Sequence, residues 1–266
     1  MPLRDEVSHK GTFGRVLNLS GSAYMPGAAM LSSLAALKIG CGYVFLCSCE
    51  RAIDAVAAQT QNVVFCPYSE LELQCSLADV FLAGCGLSVS DEAIRFLRLA
   101  LSNIKNIPVV LDADALNILA KCESFIDVLP EKLILTPHPK EAARLLNVSI
   151  EEILANPITY AKNISKKYNC VTVLKLHETI VCSKDLEIYV NTTGNSALAK
   201  AGSGDVLAGM IAGLLAQRCT PFYAAKLGVY LHGLTGDLAK NDLTKYGVMA
   251  HDLIRYIPDS IKYIID

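Results

Sequence analysis

Short, unbroken apolar runs alternate with longer helical patterns through the first half of this chain, and no other feature of the sequence restricts its fold so strongly. Residues 15–19, 42–47, 80–83, 108–111 and 132–135 read as strands, and 26–39, 51–58 and 91–101 as helices. That βαβ rhythm lays successive strands side by side and parallel, each return being made through a helix. The strand runs are apolar at consecutive positions instead of every second one, so both faces of the sheet need covering. From residue 171 the rhythm changes to three short runs, 171–174, 179–182 and 187–190, joined by polar turns at His177-Glu178 and Ser183-Lys184-Asp185. This spacing predicts an antiparallel meander at one edge. The remainder reads as helices over 206–217, 221–239 and 248–256. With no internal repeat, linker or low-complexity stretch, the expectation is α/β: a central, mostly parallel sheet flanked by helices on both faces, as a single domain over residues 1–266.

Composition supports a core of that size, since 52% of the 266 residues are hydrophobic. Charge is balanced, 24 basic residues against 26 acidic ones without a basic run, which argues against nucleic acid and anionic membranes as partners. No apolar stretch is long enough to cross a bilayer without interruption. Residues 1–10 are polar and mixed in charge, unlike a signal or transit peptide, so the expected location is cytoplasmic. Ten cysteines are scattered through apolar stretches without a C-x-x-C pair, and they read as reduced core residues. The close pair Cys47 and Cys49 reads as alternating positions on one buried strand.

In an open sheet of this kind, ligands settle beyond the carboxyl ends of the strands. Gly21-Ser22, Gly84-Cys85-Gly86, Asp112-Ala113-Asp114 and Thr136-Pro137-His138-Pro139 each follow an apolar run, so one cleft would gather them. Farther on, Ala201-Gly202-Ser203-Gly204-Asp205-Val206-Leu207 leads small residues into an apolar helix, leaving first-turn N–H groups open to an anion. Asp205 stands where that helix begins. A carboxylate beside an anion site would either take a proton from an attacking group or serve a metal. Taken alone, the same residues also suit a tight turn and an acidic group facing the helix dipole. Asp112 could contact a ribose or hold magnesium through water, whereas Asp114 fits the cap of a helix over 115–120.

Five segments then form a set: His9-Lys10-Gly11; Gly21-Ser22 with Pro26-Gly27-Ala28; Leu111-Asp112-Ala113-Asp114-Ala115-Leu116-Asn117; Leu135-Thr136-Pro137-His138-Pro139-Lys140-Glu141; and Gly194-Asn195 through Leu207. In this order they closely resemble the ADP-dependent NAD(P)H-hydrate dehydratase family, over about residues 9–255. The resemblance implies a ribokinase-like fold and a lyase that repairs nicotinamide nucleotides. ADP would be the co-substrate, with Mg2+ alongside it, and the products would be NAD(P)H, AMP and phosphate. Phosphorylation of the C6 hydroxyl would convert it into a leaving group that the ring nitrogen can expel. It further implies a homo-oligomer such as a tetramer. Because the chain starts directly at the dehydratase portion, a separate NAD(P)H-hydrate epimerase is expected to act on the same substrate.

By the same resemblance, Asp205 is the base for the C6 hydroxyl and also contacts the hydrate, while Gly204 holds the transferring phosphate. The hydrate would lie against Ala28, Gly86 and His138. The nucleotide would lie against Lys175, Leu176, His177, Glu178 and Thr179, together with Gly204. No residue is assigned to a metal. In isolation His138 is equally a loop histidine held between two prolines, and Lys175 reads first as a solvated turn lysine.

Three departures stand out. Leu176 replaces a usual glycine, which makes ADP affinity a point to test. Cys85 stands where proline is usual in Gly-Pro-Gly. Ser196-Ala197-Leu198-Ala199-Lys200-Ala201 replaces Pro-Gly-Met-Ala-Thr-Gly, placing Lys200 either on the surface or beside the anion loop. Two rival readings use the same features: an ATP-dependent kinase of a vitamin alcohol with this fold, and a nucleotide sensor without catalysis.

Overall fold

The computed structural model describes residues 1–104 and 106–265. Nine strands form one sheet in the order β3-β2-β1-β4-β5-β6-β7-β8-β9. The strands are β1 (Arg15–Leu19), β2 (Tyr43–Ser48), β3 (Val64–Pro67), β4 (Val80–Ala83), β5 (Val109–Leu111), β6 (Leu133–Leu135), β7 (Val171–Leu174), β8 (Ile180–Cys182) and β9 (Ile188–Val190). All neighbours from β3 to β7 pair in parallel, and β8 and β9 continue the sheet antiparallel, as the change of rhythm at residue 171 predicts. One strand escapes the sequence reading. β3 is an edge strand, mostly exposed and ending in Pro67, so it lacks the continuous apolar run that marks its neighbours.

Successive side chains of a strand point to opposite faces, and here they divide between two cores. Val16, Val44, Leu46, Val80, Leu82, Val110 and Ile134 face α1 (Pro26–Lys38), α9 (Ser203–Ala216), α10 (Pro221–Gly247) and α11 (Ala250–Ile265). Leu17, Leu19, Phe81, Ala83, Leu111, Leu133 and Leu135 face the opposite layer. That layer includes α3 (Leu71–Leu77), α4 (Asp91–Asn103), α5 (Asp114–Lys121), α6 (Pro139–Leu146) and α8 (Pro157–Tyr168). Two further helices, α2 (Glu50–Ala57) and α7 (Ile150–Ala155), complete the set of α-helices among the described residues.

α9 is apolar all round and buried throughout Val206–Ala216, because it lies against the sheet beneath α1 and α10. Its contact with α1 depends on the absence of a side chain at Gly209, where a Cβ would fall 2.1 Å from the Ser32 carbonyl oxygen. This packing fixes the glycine-led N-terminus of α9 against the strand ends. Seven of the ten cysteines are buried and all are free. Cys49 corrects the single-strand reading: Cys47 lies on β2, but Cys49 is already the half-buried N-cap of α2. Among the described residues, no helix is long and apolar enough to cross a membrane.

Candidate active site

Each parallel strand hands its hydrogen bonding to the loop that follows, so the loops form a row. Gly84 donates its N–H to the Leu19 carbonyl at 3.1 Å, Asp112 to Ala83 at 3.1 Å, Thr136 to Leu111 at 3.2 Å, and Lys175 to Pro137 at 2.8 Å. Gly84, at φ +115°, permits this approach, because a Cβ there would sit 1.9 Å from the Asp112 carbonyl oxygen. Ala113 follows with φ +48° and ψ −114°, a sparsely populated conformation that turns the chain from β5 into α5. The Asp112 side chain remains buried.

Four charged or titratable side chains converge beyond this row. Lys175 Nζ lies 2.6 Å from Asp112 Oδ1 and 3.9 Å from Glu141 Oε2. Glu141 belongs to a capping box at the start of α6: its Oε2 accepts the His138 N–H at 2.8 Å, while His138 Nδ1 accepts the N–H groups of Lys140 and Glu141 at 3.1 and 3.2 Å. Because Nδ1 accepts, the neutral ring carries its proton on Nε2, which lies 3.3 Å from Glu141 Oε1. Burial, and then the Lys175 charge, lower the His138 pKa and favour that neutral form. Burial likewise raises Glu141 to about 7, against the pull of Lys175. Lys175 itself is raised, since Asp112 and Glu141 outweigh its own desolvation.

Asp205 occupies the first turn of α9. Gly202, at φ +94°, is the N-cap. The Ser203 N–H bonds the Lys200 carbonyl and the Val206 N–H bonds that of Gly202, at 3.2 and 3.1 Å. The N–H groups of Gly204 and Asp205 have no backbone acceptor outside the helix among the described residues. Carboxylate oxygens of Asp205 and Asp112 and the Cys85 sulfur all lie within 4.8 Å of one another. Burial, reinforced by the Asp112 charge, pushes the Asp205 pKa up to about 7. The Cys85 thiol, completely buried beside two carboxylates, is raised far enough to keep its proton.

A cavity of about 840 Å³ opens beside this turn. Lys175, Leu176, His177, Thr179, His138 and Gly204 line it, whereas Glu178 is exposed and does not. Leu176 is free of positive φ, so glycine is not required there for backbone reasons. Ala28 and Gly86 lie outside the cavity lining and against each other: a Cβ on Gly86 would fall 2.8 Å from that of Ala28. Through Cys85 they adjoin Asp205. Lys200 is exposed on the rim, its ammonium bonded to the Tyr246 carbonyl at 2.6 Å.

One assignment needs correcting. α5 starts at Asp114 itself, with Ala113 as N-cap and no side-chain cap bond; the Asp114 carboxylate accepts the Ser88 N–H at 2.7 Å and ties down the loop after β4. Sequence reasoning also missed Glu141, His232 and Asp237. The pattern His-Pro-Lys-Glu at 138–141 was a visible capping box. His232, whose Nε2 is 3.2 Å from Ser203 Oγ, and Asp237, which accepts the Gly194 N–H at 2.8 Å, lie within α10 and carry no local signal.

A parallel sheet that delivers carboxylates, a lysine and a histidine to the start of a glycine-led helix defines an enzyme of ribokinase-like architecture. Its fold alone is shared with hydroxyethylthiazole kinase of Pyrococcus horikoshii, at a TM-score of 0.69 and 16% identity, covering 95% of this chain and 92% of that one. Residues 16–259 match the NAD(P)H-hydrate dehydratase family model, and the chain belongs to that family. It is 41% identical over 240 residues to the ADP-dependent (S)-NAD(P)H-hydrate dehydratase of Neisseria meningitidis, covering 89% of this chain and 81% of that protein. It is 36% identical to the bifunctional NAD(P)H-hydrate repair enzyme Nnr of Moorella thermoacetica, covering 97% of this chain but only 51% of that protein. Among solved structures, the Bacillus subtilis ADP/ATP-dependent NAD(P)H-hydrate dehydratase, co-crystallised with ATP/Mg2+, superposes with a TM-score of 0.88 at 32% identity, covering 99% and 94% of the two chains.

Proposed function

We propose that this protein dehydrates (S)-NAD(P)H hydrate with ADP as phosphoryl donor, releasing NAD(P)H, AMP and phosphate. The observation that carries this reading is Asp205: a carboxyl group whose pKa is raised to about 7, next to the half-buried Gly204, which lines a cavity of nucleotide size. A base works best when its pKa lies near the working pH.

The nucleotide would enter the cavity along Lys175, Leu176 and Thr179, with its terminal phosphate at the N–H groups of Gly204 and Asp205. The hydrate would approach from the Ala28 and Gly86 side. Asp205 takes the C6 hydroxyl proton as that oxygen attacks the β-phosphorus of ADP, and AMP leaves. The ring nitrogen lone pair then expels phosphate from C6. Loss of a C5 proton, which ends on the departing phosphate, restores the 5,6 double bond. One proton is released overall. The N-terminus of α9 and Lys175 stabilise charge on the transferring group.

Magnesium fits this chain poorly as a resident ion. A hard cation takes oxygen ligands, but Asp112 is already held by Lys175 at 2.6 Å, one of its two neighbouring donors is the Cys85 thiol, and the other is Asp205, which is proposed as the base. The ion belongs instead to the nucleotide, arriving on its phosphates. We further assign the protein to the cytoplasm as a homo-oligomer, with an epimerase acting on the same hydrate as a separate activity. A sedimentation profile of a monomer at micromolar concentration would exclude the homo-oligomer.

The kinase and sensor readings separate from this one in a single assay. Protein, magnesium and NADH hydrate are mixed with ADP or ATP, and dihydronicotinamide absorbance, AMP and phosphate are followed. Recovery of absorbance with stoichiometric AMP and phosphate is expected with ADP. Recovery with ATP alone would overturn the donor, and a stable phosphorylated product would make the protein a kinase.

A further inference from the structure

Three carboxyl groups, Asp112, Glu141 and Asp205, gather round the start of α9 with one ammonium, that of Lys175, among them. With all four charged, the cluster has a surplus of negative charge where the proposed reaction brings in a phosphate. His138 does not redress the balance, because its ring is held neutral. Arg144 points elsewhere, its guanidinium donating to Asn117 Oδ1 at 2.7 Å. Beyond the α9 N-terminus and the magnesium carried by the nucleotide, a proton on one of these groups would offset the anion, and only some of them can take one. Asp205 must give up its proton to serve as base. Asp112 keeps its 2.6 Å bond to Lys175.

Glu141 is left. Its carboxyl is 5% exposed, and its hold on Lys175, at 3.9 Å, is the looser of the two. A phosphate at Gly204 would compete for that hold, since a Cβ on Gly204 would already lie 3.4 Å from Lys175 Nζ. The groups acting on Glu141 are Lys175 just past β7, Asp112 just past β5, the His138 N–H at the cap of its own helix and, at longer range, the Arg144 charge; Lys175, the His138 N–H and Arg144 favour the ionised form. Of these, Asp112 and the incoming phosphate favour its neutral form, and Lys175 opposes it less once shared. Glu141 also touches both sides of the site, through Lys175 and through His138.

We propose that Glu141 is a positioning residue that takes up a proton as the nucleotide binds, compensating the phosphate charge so that Asp205 can ionise as the base. This inference rests on the assignment of the cavity to a nucleotide. A carboxyl poised at about 7 is half protonated at pH 7, so full protonation takes up about half a proton per ADP.

Calorimetric titration with ADP, in buffers of different ionisation enthalpy at pH 7 and 8, reads the net proton exchange directly. Glu141→Gln is the informative variant, because glutamine preserves the capping box while removing the titration. Asp205 also titrates at about 7 and must lose its proton to act, so the net exchange at pH 7 is expected to be close to zero in the wild type and to become a release of about half a proton in E141Q. The wild-type Kd should rise about fivefold from pH 7 to 8 relative to that of E141Q. An equal proton exchange in both proteins overturns the proposal. Asp205→Asn supplies a second test that does not depend on the folding of E141Q: with the offsetting release removed it should take up about half a proton at pH 7, and no uptake there overturns the proposal. Absence of any ADP binding would instead overturn the nucleotide assignment itself, and this inference with it.

Discussion

Lys175 Nζ, at the end of β7, lies 2.6 Å from Oδ1 of Asp112, at the end of β5, and thereby links two strands that β6 separates. Asp112 is 1% exposed, so its charge is far from water and dependent on this one ammonium. The link also aims Lys175 across the start of α9, where a transferring phosphate would sit.

Lys175→Met should be both inactive and unstable. Removing one partner of a buried ion pair leaves the other uncompensated, at a cost of roughly 3 kcal/mol. Thermal unfolding should show the loss, and adding Asp112→Asn should recover most of it while activity stays absent. Full stability in the single variant would mean that Asp112 is protonated in the native protein.

Asp205→Asn should reduce turnover by roughly 10²–10⁴-fold, the range for removal of a positioned base. Binding of ADP should persist or tighten, because a carboxylate no longer faces the phosphate. In the wild type, kcat/KM should fall about tenfold per pH unit below about 7 as the base becomes protonated. An Asp205→Asn protein with wild-type turnover would remove Asp205 from the mechanism.

The parallel sheet and its antiparallel edge were legible in the sequence because runs such as 80–83 and 133–135 are buried on both faces and leave no polar positions. β3 was not, since an exposed edge strand ending in Pro67 has no such signature. At the site, Asp205 and Gly204 could be read because small residues followed by an apolar helix have a local meaning. The Lys175–Asp112 contact spans 63 positions and has none. Asp114 misled for a related reason: its spacing from the helix suits a cap, but the strained Ala113 starts the helix one residue early and frees the carboxylate for Ser88.

Two glycines in one loop should respond differently to alanine. Gly202 is held at φ +94°, and a Cβ there would meet Leu31 and Ala250 at 2.7 and 2.8 Å, so Gly202→Ala should lower stability by roughly 1–3 kcal/mol. Gly204 is helical, and its nearest neighbour at 3.4 Å is the tip of Lys175. Gly204→Ala should therefore leave the melting temperature almost unchanged or slightly raised. Its methyl group would stand in the proposed phosphate position, and ADP affinity should fall about tenfold or more, a cost of about 1.4 kcal/mol. Undiminished ADP binding by Gly204→Ala would show that the phosphate lies elsewhere.

The carboxyl proposed as base should also weaken the fold above neutral pH. Asp205 titrates at about 7 in the folded protein but at about 3.9 when unfolded, so the native state binds the proton more tightly. Stability linked to this group is then fully present below the unfolded pKa, declines as pH rises between the two values, and is lost above about 7. Asp205→Asn imitates the protonated form at every pH. Its stability should match that of the wild type near pH 4 and exceed it by on the order of 2 kcal/mol at pH 8, with allowance for partial solvent screening. Urea unfolding of both proteins at several pH values measures the difference. A constant gap between the two curves would show that Asp205 is ionised across the whole range, and would leave the enzyme without a base poised at neutrality.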